Sequence, residues 1–210
     1  MKYLITIGHL GKDAGAVSPY DATGPDVVAL QHERWINAQQ VNGALAASML
    51  TDLDIIFAGP RGHFKTVAPE RIHEVGESFS LNDRVKLAND LGRVLIEFHN
   101  NSGARDAARG AEIIVWRKPS ESATIAETIM ARLVSGGIKN RGVKDCVELA
   151  RDLAILKGTR LPALILEGGF MSDRSDMTGL DVDLDGFNET YGARIIQGLV
   201  DYQRRGGNHV

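Results

Sequence analysis

The chain has 210 residues, 43% of them hydrophobic and 24% charged, which is enough for one domain with a full core and too apolar for a disordered chain. Its 24 Lys+Arg against 27 Asp+Glu give a formal net charge of −3, without the basic stripe that phosphate backbones require, so nucleic acid is not expected as a partner and membrane surfaces are disfavoured. Cys146 is the single cysteine, which excludes an internal disulfide and a cysteine-rich zinc site and leaves His and carboxylates to hold any metal.

Cys146 itself reads as a small packing residue, because a nucleophilic role would need a base and an electropositive pocket beside it. The N-terminal MKYLITIGHL has one lysine and too short an apolar run for a signal peptide. No later run is long enough to span a bilayer. The expectation is a protein made in the cytoplasm that reaches any outside target by another route.

Tyr3 to Ile7 reads as a first strand, followed at once by the glycine-rich loop Gly8-His9-Leu10-Gly11. Pro19, Asp21, Gly24 and Pro25 break the next stretch into loop. Ala38, Val41, Leu45 and Met49 then mark an amphipathic helix from about Glu33 to Leu50. Glu33 falls in its first turn, where a carboxylate is favoured by the helix dipole whatever its function. His32 beside it is a rival for any ligand role.

Leu53 to Phe57 reads as the second strand. Residues 58–79 carry Gly59, Pro60, Gly62, Pro69 and Gly76 and read as a long irregular excursion, in which His63 and His73 are expected to be exposed loop histidines. Ser80 with Asp83 resembles a capping pair, and Val85, Ala88 and Leu91 give the following helix its apolar face.

Val94 to Asn101, VLIEFHNN, reads as a buried strand ending in His99. In open α/β sheets the crevice beyond the carboxyl ends of the strands collects ligands, so this histidine is either a hydrogen-bonded structural residue or a ligand. Ala111 to Trp116 is another strand. Ile125, Ile129 and Leu133 form a helix stripe that stops at Gly136-Gly137. Residues 139–151 are polar and ambiguous. Leu153 to Leu156 and Leu161 to Leu166 read as two more strands, the second running into Glu167-Gly168-Gly169-Phe170.

Asp181, Asp183 and Asp185 with Gly186 copy the opening of a calcium-binding loop, but the twelfth position, where a bidentate glutamate belongs, is Gly192. A solvated loop with helix-capping aspartates is therefore preferred over a Ca2+ site. Tyr191, Ile195, Leu199 and Tyr202 supply the face of a last helix. The alternation of elements predicts a single α/β domain over residues 1–210: one open twisted sheet of about six strands with helices on both faces. His9, His99 and Glu167 then lie at three strand ends, with Glu33 brought in from the first helix. Two imidazoles and a carboxylate make a catalytic zinc set that leaves one position open, and a further acid can act as base and acid in hydrolysis.

Taken in order, these segments resemble the zinc-dependent N-acetylmuramoyl-L-alanine amidases (type 3) of bacterial cell-wall hydrolases and phage endolysins. The resemblance spans nearly the whole chain. It rests on ITIGHLGKDAGA after the first strand, HERWINAQQV at the first helix and SLNDRVKLAND before the third strand. EFHNN at that strand's end, GAEIIVW in the next and PALILEGGFMSD in the last complete it. The resemblance implies one Zn2+ ligated by His9, Glu33 and His99, with Glu167 as catalytic glutamate. The implied reaction is cleavage of the amide between N-acetylmuramic acid and L-alanine of peptidoglycan.

Leu10 replaces a family glycine, and the loop before Glu33 is longer than usual and lacks its Asn-Gly approach, so His32 stays open as the alternate ligand. The 58–79 excursion is also larger than the minimal pattern. Without an export signal or a wall-binding module, the expectation is a phage-type lysin or an enzyme delivered to the wall by another factor. The competing readings are a zinc carboxypeptidase-like peptidase and a non-catalytic peptidoglycan-binding domain on the same fold. The second should have lost one of the four site residues, and here all four positions are filled.

Overall fold

A computed structural model describes residues 1–9, 15, 33–64, 68–76, 79–104, 107–173, 175–176 and 187–206. Within them the chain forms strands β1 (Lys2–Ile7), β2 (Asp54–Gly59), β3 (Ile72–Glu74), β4 (Val94–Asn101), β5 (Ala111–Val115), β6 (Asn140–Asp145) and β7 (Ala163–Phe170). The helices are α1 (Glu33–Ser48), α2 (Leu81–Leu91), α3 (Glu121–Ser135), α4 (Ala154–Gly158) and α5 (Phe187–Arg204).

The seven strands form one sheet in the order β3-β2-β1-β4-β7-β5-β6. β3, β2, β1, β4 and β7 are mutually parallel, and β5 pairs antiparallel with β7 while running parallel to β6. The chain thus builds outward from β1 to β2 and β3, then returns to place β4 on the other side of β1. That reversal opens a crevice at the carboxyl ends of β1 and β4, the place where such sheets bind ligands.

Both faces of the sheet are covered. β1, β4, β5 and β7 are buried along nearly their whole length, as strands with helices on both sides must be. Glu97 of β4 meets Arg84 of α2 on one face, and Asn100, three residues on, meets Asn37 and Gln40 of α1 on the other. α5 packs against α1 and α3, while α2 packs against α4. The expected Ser80–Asp83 pair is a complete capping box at the start of α2, which satisfies donors the first turn would otherwise leave open.

The strand count differs from the expected six in three places. Leu153 to Leu156, expected as a strand, instead enters helix α4, with Ile155 and Leu156 buried; a four-residue apolar run has no period to tell helix from strand. Ile72–Glu74 is a strand inside the expected excursion, and Asn140–Asp145 is one inside the ambiguous polar stretch. Both are edge strands and largely polar, so neither shows an apolar run. The excursion also contains two single-turn 3₁₀ helices, Arg61–His63 and Pro69–Arg71.

α5 lies unusually close to its neighbours because of two glycines. A Cβ on Gly192 would fall 2.3 Å from the backbone of α1 at Gln40 and Ala44, and one on Gly198 would fall 2.6 Å from Ile129 Cα of α3. Helix packing thus accounts for Gly192 at the twelfth position of the calcium-loop pattern. Asp181, Asp183 and Asp185 lie outside the described residues. Gly198→Ala gains helix propensity of at most about 1 kcal/mol but forces backbone apart, and overpacking of this kind costs about 1–3 kcal/mol. The expected outcome is a lowered urea midpoint for Gly198→Ala at unchanged slope; a midpoint at or above wild type would mean that α3 and α5 do not pack this closely.

Candidate active site

Three strand ends and one helix start build the crevice. β1 ends at Ile7, and Gly8 continues its pairing by donating its N–H to the Phe98 carbonyl at 2.8 Å. His9 follows at φ 53°, a left-handed conformation that few non-glycine residues adopt. Such strain is kept where the surrounding structure fixes it, and it is frequent at functional sites. Gly8 has no side chain because His99 occupies the space: a Cβ there would lie 2.5 Å from His99 Cε1.

Glu33 occupies the first turn of α1, as its sequence position predicts, and its side chain is only 4% exposed. Its Oε1 lies 3.3 Å from His9 Nε2 and 3.1 Å from His99 Nδ1, and it accepts the backbone N–H of Asn100 at 3.0 Å. The two imidazoles meet edge-on, with ring centroids 4.8 Å apart. One ligand atom from each of His9, Glu33 and His99 can be chosen so that all three lie within 4.8 Å of one another, and this is the group among the described residues that could hold a metal ion.

A polar network behind the sheet fixes this arrangement. Asn37 donates to the Gly8 carbonyl at 3.2 Å and accepts from Asn100 Nδ2 at 2.8 Å. Gln40 donates to Asn100 Oδ1 at 3.4 Å. All three side chains are buried, so the hydrogen bonds that satisfy them also hold the His9 loop, the start of α1 and the end of β4 together.

Glu167 is the register partner of His99 across β4 and β7, and the register shifts just beyond, between His99 and Asn101. Glu167 Oε2 is buried with no hydrogen-bond partner among the described residues. Burial pushes its carboxyl up, helped by Glu33 and Glu112 against the opposing charges of His99 and Arg151, to about 7. His99 behaves in the opposite sense. Burial disfavours the imidazolium, yet hydrogen bonds to Glu33 and Glu97 and the charges of Glu97 and Glu167 raise its pKa to about 10. The carboxylates around His99 favour a positive charge at this point, the electrostatic condition that a bound cation meets.

Two further acids belong to the surroundings and were not foreseen from the sequence. Glu97, 1% exposed, lies 2.7 Å from both His99 Nε2 and Arg84 Nη1. Glu112 of β5, opposite Glu167 in register, accepts from Lys144 at 2.6 Å, Arg141 at 2.8 Å and Asn101 at 2.9 Å. Each is a charge in an apolar strand, and that is the signal: a buried carboxylate needs a partner. His63 and His73 stand apart from the cluster, His73 exposed on β3. Cys146 is buried in the core, and burial pushes its thiol up, as a packing residue requires. His32 lies outside the described residues.

With the geometry in hand, the sequence matches the family model described as N-acetylmuramoyl-L-alanine amidase over residues 4–199. The chain belongs to the N-acetylmuramoyl-L-alanine amidase family. It is therefore a peptidoglycan amidase, as the order of motifs implied. A search of curated proteins gives no match.

Solved structures agree in fold with this amidase. It is similar to an N-acetylmuramoyl-L-alanine amidase from Clostridium difficile 630, with 22% identity and TM-score 0.71 over 97% of each chain. An amidase of Nostoc punctiforme is 20% identical at TM-score 0.72, covering 98% of this chain and 99% of that one. The catalytic domain of an endolysin targeting Clostridia difficile is 22% identical at TM-score 0.60, covering 96% and 97%. Among the amidase's described residues no helix is long and apolar enough to cross a membrane.

Glu112 makes the site's flank acid-sensitive. Burial opposes its ionisation, but the hydrogen bonds and charges of Lys144 and Arg141 outweigh this and hold its carboxyl below the usual range. A depressed folded pKa contributes stability above the unfolded value of about 4.3 and loses it as the pH falls through the folded value. Urea midpoints measured downward from pH 6 should therefore fall less steeply below about pH 4.3 in Glu112→Gln than in wild type; equal slopes would contradict the pairing.

Proposed function

We propose that His9, Glu33 and His99 hold one zinc ion and that Glu167 is the general base and acid of amide hydrolysis, with residues 1–210 acting as a single catalytic domain. The observation that carries this reading is the convergence of the three donors at the β1/β4 crevice with Glu167 held beside His99 by strand register. The donor types support zinc: two imidazole nitrogens and one carboxylate are a ligand set of catalytic zinc sites, which keep a fourth position open. Zinc bound there supplies Lewis-acid polarisation of the scissile carbonyl and of the attacking water.

The rest of the chemistry falls to the chain. Glu167 takes a proton from water as the water oxygen adds to the carbonyl carbon of the lactyl group. The same carboxyl then gives that proton to the nitrogen of L-alanine as the C–N bond breaks, releasing a free carboxyl on the sugar side and a free amine on the peptide. Its Oε2 suits this role, since no group among the described residues competes for the proton. Glu33 keeps its carboxylate facing the two imidazoles through the Asn100 N–H, and His9 and His99 are held by Gly8 and the polar network behind the sheet. The likeness to an endolysin catalytic domain supports a role in lysis of the wall.

Digestion of purified peptidoglycan followed by mass analysis tests the reaction. Peptides beginning with L-alanine, with intact glycan strands, are expected, whereas release of a terminal amino acid would mean a carboxypeptidase. Glu167→Gln should keep its zinc and lose activity by about a hundredfold or more, the scale of a lost general acid/base. Near-normal turnover in that variant would remove Glu167 from the mechanism.

A further inference from the structure

Glu97 stands in the middle of a buried strand, two residues before His99 and on the same face. A carboxylate at such a place is strongly disfavoured unless it is paired and hydrogen-bonded, and every contact it makes has a definite direction. Arg84 Nη1 donates to its Oε1 at 2.7 Å, and Thr6 Oγ1 donates to its Oε2 at 3.3 Å. Arg84 is itself held by its Nε–H to the Phe79 carbonyl at 3.2 Å and lies over the Phe79 ring. The carboxylate is thus fixed from α2 and β1 before His99 is considered. His99 Nε2 then lies 2.7 Å from the same Oε1.

A carboxylate paired with a guanidinium offers only acceptor oxygens, so the proton in the Glu97–His99 contact sits on Nε2. When a metal ion takes the other nitrogen, that proton stays on Nε2 and Nδ1 is the ligating atom. In a neutral imidazole with its proton on Nε2, Nδ1 presents a lone pair, and Nδ1 is the atom that faces Glu33 at 3.1 Å. Metal-bound histidines commonly hand their second N–H to a carboxylate, which sets the tautomer, the ring angle and the basicity of the ligating nitrogen.

We propose that Glu97 is a positioning residue of this amidase, the outer carboxylate of a chain running from Arg84 and Thr6 through Glu97 and His99 to the metal. It holds the Nε2–H tautomer and the ring angle of His99, and so tunes metal affinity without touching metal or substrate. The proposal rests on the reading of His99 as a ligand. Glu97 thereby couples the packing of α2 to the metal site.

Zinc affinity, read by competition with a chelator at neutral pH, tests this on the whole chain in wild type, Glu97→Gln and His99→Ala. Urea midpoints of the zinc-free proteins are measured in parallel. Glu97→Gln should bind zinc about 10–100-fold more weakly, the usual effect of losing such an outer partner, and its Co2+-substituted form should show a shifted absorption spectrum. A residue needed only for packing would lower the urea midpoint and leave both readouts unchanged, and that result overturns the proposal. His99→Ala separates the two levels: wild-type affinity there would remove His99 from the metal and the Glu97 proposal with it.

A second measurement needs no variant. Long-range proton–nitrogen spectra of the zinc-loaded wild type should show His99 protonated on Nε2; a proton on Nδ1 would overturn the proposal even if Glu97→Gln failed to fold.

Discussion

The register between β4 and β7 is the constraint on which the site depends. Pairing His99 with Glu167 sets a histidine beside an acid at the same edge of the sheet, on two rigid strands rather than on loops. β1 flanks β4 on the other side, so its carboxyl end delivers His9 to the same crevice. A slip of one residue in β4 would send His99 and Glu97 to the opposite face together, since side chains alternate. The apolar run of β4, buried along its length, sets its depth in the sheet, and the partners of Glu97 and Asn100 on opposite faces fix its phase. The residues that define the fold therefore also define the distance between His99 and Glu167.

Charge bookkeeping around the crevice is uneven in a way that matters for chemistry. Glu97 is answered by Arg84 and Glu112 by Arg141 and Lys144. Glu33 meets the imidazoles of His9 and His99 and accepts the Asn100 N–H. Glu167 Oε2 has no hydrogen-bond partner among the described residues. The flanking acids are thus neutralised by Arg and Lys side chains, while Glu167 keeps an oxygen open to a proton among the described residues. Environment rather than residue type separates these glutamates, which is what the proposed division of roles requires.

Much of this was legible in the sequence because it was carried by strong local signals. β1, β4 and β7 announce themselves as apolar runs, and His9, His99 and Glu167 follow from where those runs stop. α2 is marked by Ser80 and Asp83, and α1 and α5 by their stripes. β3 and β6 were hidden because an edge strand covered on few sides needs little apolar content. α4 was misread because Leu153 to Leu156 is too short to have a period. Glu97 and Glu112 were legible as anomalies, acids inside apolar strands, but their partners Arg84, Arg141 and Lys144 are distant in sequence, and only the fold pairs them. Asn37, Gln40 and Asn100 were silent for the same reason.

The central claim is that sheet topology places His9, Glu33 and His99 around one zinc with Glu167 facing it. A crystal of the zinc-loaded protein, with anomalous scattering recorded on both sides of the zinc edge, tests this most directly. The account predicts a single zinc peak held by His9, by the Glu33 carboxylate and by His99 through Nδ1, with the Glu167 carboxyl turned toward the open position and not ligating. Zinc held by His32 in place of Glu33, or ligated directly by Glu167, would contradict it.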